Sequence, residues 1–136
     1  MAGYSGTPLP RKLGIQAGHR VALLAAPARF ADVLGALPPG VTVQTRLAGR
    51  ASFDVLVVFV TARGELASRI DAARARMTPA AGLWIAWPKR ASRVPTDMTE
   101  DVIREIALPT GLVDNKVCAI DQVWSGLRLV IRRELR

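Results

Sequence analysis

The chain has 136 residues, of which 50% are hydrophobic and 22% are charged, a balance that excludes a disordered protein and fits one domain. Its formal net charge is +8, and arginine carries most of the excess because Lys12, Lys89 and Lys116 are its only lysines. No apolar run reaches the length of a membrane span, the first residues do not predict a signal peptide, and a single cysteine excludes an intrachain disulfide. We therefore expect a cytoplasmic protein with no membrane role.

The first half of the chain alternates between short helices and strands. Residues 7–14 predict an amphipathic arm or helix that ends at Gly14, and residues 19–25 predict a buried strand. Apolar residues at helical spacing follow and predict a helix. Residues 41–45 then alternate between apolar and polar side chains, which predicts a strand. Four residues form the apolar stripe of the predicted helix: Phe30, Val33, Leu34 and Leu37. Residues 53–60 are apolar on both faces, which is typical of the middle of a parallel sheet.

The second half continues the alternation. Thr61 is expected to cap a helix whose inner side carries Leu66, Ile70, Ala73 and Met77. Residues 82–87 predict a fourth strand, and Glu100 with Asp101 begins another helix. Two strands, residues 113–121 and 127–133, complete the chain as an antiparallel hairpin.

This order of elements predicts an α/β fold. We expect a compact Rossmann-like three-layer sandwich, in which a mostly parallel sheet ends in an antiparallel hairpin. One domain covers residues 1–136, with residues 1–18 as a mobile N-terminal arm and residues 19–136 as the Rossmann-like core.

Two resemblances are visible in the sequence. FDVLVVF (53–59) and TPAAGLWIAWPK (78–89) resemble the central strand and the following turn and strand of a shortened methyltransferase-type Rossmann fold. GYSGTPLPRKLGI (3–15) and the stretch from WPKRAS to LRLVIR (87–132) resemble a family of small bacterial proteins known only as a domain of unknown function. The first resemblance implies the fold, and the second brings no activity with it.

The cofactor turn of methyltransferases is altered in this sequence. Such enzymes hold the cofactor against a glycine-rich turn after the first strand, where the backbone must approach it closely. Here residues 25–29 contain no glycine, and Pro27 lacks an N–H. The second strand also ends without the acidic residue that usually holds a ribose. We expect no cofactor.

Catalytic chemistry is sparse as well. The one histidine, His19, stands at the start of the first strand, away from the edge where such sheets bind ligands, and Cys118 lies within a strand. One histidine and one cysteine exclude an ordinary zinc site, and no serine–histidine–acid set can be assembled. We predict no catalytic residue and no metal site.

The loop after the fourth predicted strand is the candidate ligand site. It leaves the carboxyl end of that strand, where open α/β sheets bind ligands, and it combines bases and hydroxyls with the start of a helix. The candidate residues are Trp87, Lys89, Arg90, Ser92, Thr96 and Asp97, with Arg93 as a further donor. The alternative is a solvated loop in which Asp97 and Glu100 form a capping box or Thr99 is the cap.

A second candidate cluster lies on the hairpin. Strand alternation places Asp114, Lys116, Cys118 and Ile120 on one face, opposite Arg128, and places Trp124 in the hairpin loop. The cluster comprises Asp114, Lys116, Trp124 and Arg128.

These observations favour a non-catalytic binding or regulatory module with an anion or small-ligand site at the carboxyl edge of the sheet. Its partner would be an anionic small molecule or an acidic protein, and a homodimer is a further alternative. The alternatives are a degenerate S-adenosylmethionine-dependent methyltransferase-like enzyme and a basic protein that associates weakly with nucleic acid.

Overall fold

The structure is a computed structural model that describes residues 6–136. The strands in this part of the chain are β1 (Arg20–Leu24), β2 (Thr42–Gln44), β3 (Phe53–Phe59), β4 (Met77–Pro88), β5 (Leu112–Ala119) and β6 (Trp124–Ile131). The helices are α1 (Leu9–Lys12), α2 (Phe30–Leu34), α3 (Arg63–Ala75) and α4 (Glu100–Ala107).

The strands form one sheet in the order β2-β1-β3-β4-β6-β5. β1 is parallel to β2 and β3, and β3 is parallel to β4. β6 runs antiparallel to both β4 and β5. The predicted Rossmann-like α/β fold, with a hairpin at one end of a mostly parallel sheet, is confirmed.

The sheet separates two hydrophobic cores. On one face, which we call the α3–α4 face, Leu66 and Ile103 of these helices pack in one cluster with Leu56 of β3. On the other, the α1–α2 face, Leu13 and Phe30 pack in a cluster that includes Val57. Adjacent residues of β3 are thus buried on opposite faces, which explains why its sequence is apolar throughout.

The N-terminal segment, residues 6–18, packs against the sheet. Leu13 and Ile15 are buried, and the indole Nε1 of Trp84 donates a hydrogen bond of 3.0 Å to the carbonyl of Leu13. Over residues 6–18 the expected mobile arm is therefore wrong, because these side chains complete the core on the α1–α2 face. The rest of that arm, residues 1–5, lies outside the described residues.

Three predicted helix boundaries need correction. α3 ends at Ala75, so Met77, predicted on this helix, is instead the first residue of β4. Thr61 is not the N-cap of α3; Ala62 is, and the carboxylate of Glu65 accepts hydrogen bonds from the backbone N–H groups of Thr61 and Ala62. α2 ends at Leu34, before the predicted stripe does, because Gly35 has a φ of 78° and leaves the helical conformation.

The hairpin also departs from strict alternation. The register shifts between Asp114 and Lys116, so that Asp114 pairs with Leu129 and Lys116 pairs with Arg128. This bulge sends Asp114 to the α3–α4 face and Lys116 to the α1–α2 face, and the prediction that they share a face is wrong. Trp124, predicted in the loop, is the first residue of β6.

No helix among residues 6–136 combines the length and the apolar character that a membrane crossing requires.

Candidate functional site

A cleft of about 730 Å³ opens at the carboxyl end of β4, between the loop that follows this strand and the start of α4. We call it the edge cleft. The wall residues that matter below are Trp87, Arg90, Arg93, Thr96, Glu100 and Arg104. The location agrees with the sequence-based site, although the lining does not include Lys89, Ser92 or Asp97.

Apolar side chains form part of the cleft wall. Trp87 is 8% exposed and Met98 is 3% exposed, and both belong to the core on the α3–α4 face. Trp84 belongs to the opposite core, so the two indoles lie on opposite sides of β4 as expected from alternation. The cleft wall therefore includes a largely buried tryptophan at the end of β4.

Two arginines of the loop lack acidic partners. Arg90 and Arg93 are exposed, and neither makes an ion pair with another residue in the described part of the chain. The backbone of Arg93 has a φ of 62°, the left-handed region that a side chain other than glycine or asparagine rarely adopts. Such conformations occur at binding sites more often than elsewhere.

The hydroxyl groups of the loop are used inside the protein. Ser92 donates to the carbonyl of Lys89 at 2.6 Å and accepts from the N–H of Val94. Thr96 donates to the carbonyl of Thr61 and accepts from the N–H of Met98 at 3.0 Å. Ser92 and Thr96 therefore shape the loop, and the prediction that their hydroxyls converge on a ligand is corrected.

Asp97 stabilises a neighbouring helix. Its carboxylate Oδ1 accepts a hydrogen bond of 2.7 Å from the backbone N–H of Arg63, the first residue of α3. The capping box predicted for Asp97 and Glu100 is absent, because Thr99 caps α4 by accepting from the N–H of Val102 at 3.1 Å. The alternative cap, Thr99, is the correct one.

The wall opposite the loop is an ion-pair network around Arg104. Its guanidinium bonds to Glu100 at 2.9 Å, to Asp101 at 3.0 Å and to Asp114 of β5 at 3.1 Å. The hydrogen bond that Arg104 donates to Asp114 is the largest contribution that raises the pKa of Arg104. Arg104 is not among the residues of the sequence-based site, although its spacing of three and four residues from Asp101 and Glu100 is a recognisable signal for helical ion pairs.

The hairpin cluster is assembled only in part, because Lys116 and Arg128 pair across β5 and β6 but Asp114 does not join them. Asp114 belongs to the Arg104 network, while Lys116 and Arg128 lie across the sheet on the α1–α2 face. Trp124 packs edge-to-face on Phe59, with 5.1 Å between ring centroids. The bulge in β5 accounts for the separation of Asp114 from Lys116 and Arg128.

The turn after β1 has the backbone shape of a glycine turn without the glycine. Ala25 has a φ of 59°, and Pro27 offers no N–H at the centre of the turn. β2 ends at Gln44, whose Oε1 is buried and has no hydrogen-bond partner among the described residues. These residues do not fit S-adenosylmethionine, because the turn has no glycine that would allow close backbone approach, Pro27 removes one N–H donor, and β2 ends in Gln44 instead of a ribose-binding carboxylate.

The histidine and the cysteine show no catalytic environment. Nδ1 of His19 accepts from the N–H of Gln16 at 3.1 Å, a local structural contact. Burial raises the pKa of the half-buried Cys118 thiol, which disfavours the reactive thiolate. In residues 6–136 no group of three or more histidine, cysteine or acidic side chains is placed to hold a metal ion.

Several solved structures with similar folds are methyltransferases. The ribosomal protein L11 methylase from Lactobacillus delbrueckii subsp. bulgaricus superposes with a TM-score of 0.60 at 10% identity, covering 93% of this chain and 75% of that one. The N-methyltransferase NodS from Bradyrhizobium japonicum WM9 gives 0.59 at 14% identity, covering 91% and 97% respectively. A SAM-dependent methyltransferase from Aquifex aeolicus gives 0.57 at 14% identity, covering 89% and 87%.

The chain thus has a Rossmann-like methyltransferase fold. Structural similarity at identities this low shows the fold alone. No protein-family model and no curated protein matches the chain, so the resemblance to a small bacterial family stays a prediction.

Proposed function

We propose that this protein is a binding module on a methyltransferase fold, and that its edge cleft takes a small molecule with a carboxylate or phosphate group. The observation that carries the proposal is the pair of exposed arginines, Arg90 and Arg93, on the cleft wall without acidic partners.

The charges of the cleft favour an anion on the loop side. Arg104 is matched by Glu100 and Asp101, so its positive charge is balanced within the protein. Arg90 and Arg93 have no such balance, and a guanidinium presents paired donors that match a carboxylate or phosphate. The ligand's charged group is therefore expected at the loop, away from the acidic start of α4.

The indole of Trp87 adds a preference for the rest of the ligand. It is held by the core and contributes an apolar surface to the cleft. Ligand sites typically combine such a surface with a few polar groups that fix orientation. An anionic group attached to a planar or apolar body would use both features.

The fold supports a second candidate, a degenerate S-adenosylmethionine-dependent enzyme. The unpaired amide oxygen of Gln44 at the end of β2 also favours it, because a ligand hydroxyl would satisfy that atom. The turn at residues 25–29 argues against it for the reasons given above. Calorimetry decides between the two: we expect no S-adenosylmethionine binding, and saturable one-to-one binding would establish the enzyme reading instead.

A thermal-melt comparison tests the cleft itself. Benzoate, at ionic strength held constant with chloride, should raise the melting temperature of the wild type by mass action. The double variant Arg90→Gln/Arg93→Gln should show a much smaller rise. Arg46→Gln/Arg50→Gln, which removes two exposed arginines from the β2–β3 loop, is the matched control and should behave as the wild type. Equal rises in all three proteins would eliminate the cleft as the site.

A further inference from the structure

A second pocket lies on the α1–α2 face of the sheet, between the N-terminal segment and the hairpin. Its volume is about 230 Å³, and we call it the hairpin pocket. The lining residues are Arg11, Lys12, Gly14, Asn115, Lys116 and Arg128. Four of these are cationic and none is acidic, in contrast to the mixed charges of the edge cleft.

The bulge in β5 keeps acidic charge out of this pocket. Lys116 lies directly opposite Arg128, which in turn lies opposite Trp84 of β4. Without the bulge Asp114 would share this face with Lys116 and neutralise it. The register shift instead turns Asp114 to the other face, where it binds Arg104.

Gly82 of β4 provides space for the guanidinium of Arg128. A Cβ atom added at Gly82 would lie 2.6 Å from Nε and 3.0 Å from Nη2 of Arg128. The backbone of Gly82 does not have a positive φ, so conformation does not require glycine there. The absence of a side chain at Gly82 allows the arginine to lie flat against the strand.

Arg128 is partly buried, yet its guanidinium has no hydrogen bond or ion pair with another residue in the range 6–136. The guanidinium of Arg76, which is also partly buried, is by contrast well satisfied: it donates to the carbonyls of Leu47, Ala48 and Ala51. Burial, and secondly the nearby Arg136, lowers the pKa of Arg128. A partly desolvated cation among other cations is costly unless an anion joins it.

We propose that the hairpin pocket binds a phosphoryl group, with Arg128 as the central donor and Arg11 and Lys116 on either side. The guanidinium provides paired N–H donors for phosphate oxygens, and the flanking residues supply point charge. The small volume fits a phosphate or the phosphoryl end of a small molecule better than the backbone of a nucleic acid. This site is separate from the edge cleft and does not depend on it.

The test uses inorganic phosphate and pyrophosphate as probes. Calorimetry is done in the Arg90→Gln/Arg93→Gln background, where the edge cleft is disabled, so that binding seen there reports on the hairpin pocket. We expect saturable binding that Arg128→Met weakens about tenfold or more, the effect of losing a charge-assisted hydrogen-bonding partner. Arg50→Met is the control for one lost charge and should bind as its parent does.

The stability of the ligand-free protein provides a second readout. Arg128→Met removes an unsatisfied cation and keeps the apolar stem, so the variant should be as stable as its parent or more stable. No phosphate binding at all, or equal affinity in the Arg128→Met and Arg50→Met variants, would overturn the proposal. Binding of a short single-stranded DNA that depends on Arg128, without binding of pyrophosphate, would overturn it in favour of nucleic acid.

Discussion

The carboxylate of Asp97 and the backbone N–H of Arg63 are joined by a hydrogen bond of 2.7 Å, although 34 residues separate them in sequence. The bond fixes the loop after β4 to the first turn of α3. The side chain of Arg63 adds an ion pair of 3.0 Å to Glu105 of α4. The loop that carries Arg90 and Arg93 is therefore anchored at its far end to the two helices of one face, which gives the edge cleft a fixed shape.

Replacing Asp97 by alanine should destabilise the protein by about 1 kcal/mol, the usual cost of losing a helix cap. Urea unfolding measures the change. Asp71→Ala is the matched control, because Asp71 is exposed on α3 and is not in an ion pair with another described residue; its effect should stay within about 0.5 kcal/mol. Similar losses of stability in both variants would show that the Asp97–Arg63 hydrogen bond contributes no more to stability than an exposed carboxylate does.

Glu65, in the first turn of α3, should make the stability of the protein depend on pH. The backbone hydrogen bond from Thr61 is the largest influence and lowers the pKa of this carboxyl. A lowered folded-state pKa means that the stabilisation is present above the unfolded value of about 4.3 and is lost as the pH falls through the folded value. Wild type should thus exceed Glu65→Gln in stability at pH 7 by about 0.3–1 kcal/mol, and the two should converge near pH 3. A constant difference from pH 7 to pH 3 would contradict this assignment.

The indole of Trp84 should hold the N-terminal segment in place. Trp84→Phe removes the donor to the carbonyl of Leu13 while keeping an aromatic ring, and leaving that buried carbonyl unpaired should cost about 1–3 kcal/mol. Amide hydrogen exchange should accelerate first around Leu13 and Ile15. Unchanged exchange there, with faster exchange elsewhere, would mean that apolar packing alone holds the segment.

Gly82→Ala should act on the hairpin pocket through Arg128. The new methyl group would displace the guanidinium, which can move because its side chain is flexible, so stability should change little while phosphate binding weakens. In an Arg128→Met background the same substitution should have no further effect on binding. If Gly82→Ala still weakens phosphate binding in the Arg128→Met background, it does not act by displacing Arg128.

The elements of the sheet could be predicted from local pattern because burial on two faces leaves a continuous apolar run, as in β3. The bulge at Asp114 and Lys116 could not, since strict alternation assigns both to one face and nothing local marks the register shift. The hydroxyls of Ser92 and Thr96 were misassigned for a related reason. Their partners are a carbonyl three residues back and one 35 residues away, and only the folded chain shows that these groups are already satisfied.

The location of the edge cleft followed from topology, because a parallel strand must deliver its following loop to the carboxyl edge. The charge balance of the cleft could not be predicted in this way. Arg90 and Arg93 stand out only once Arg104, Glu100 and Asp101 are seen to neutralise one another.

Amide and indole NMR spectra during a benzoate titration, at constant ionic strength, test the central claim most directly. The edge cleft predicts saturable shifts that are largest at Arg90, Arg93 and the indole N–H of Trp87, and that are lost in Arg90→Gln/Arg93→Gln. Shifts centred instead on residues 25–29 and Gln44, or no saturable shift at the loop, would contradict it.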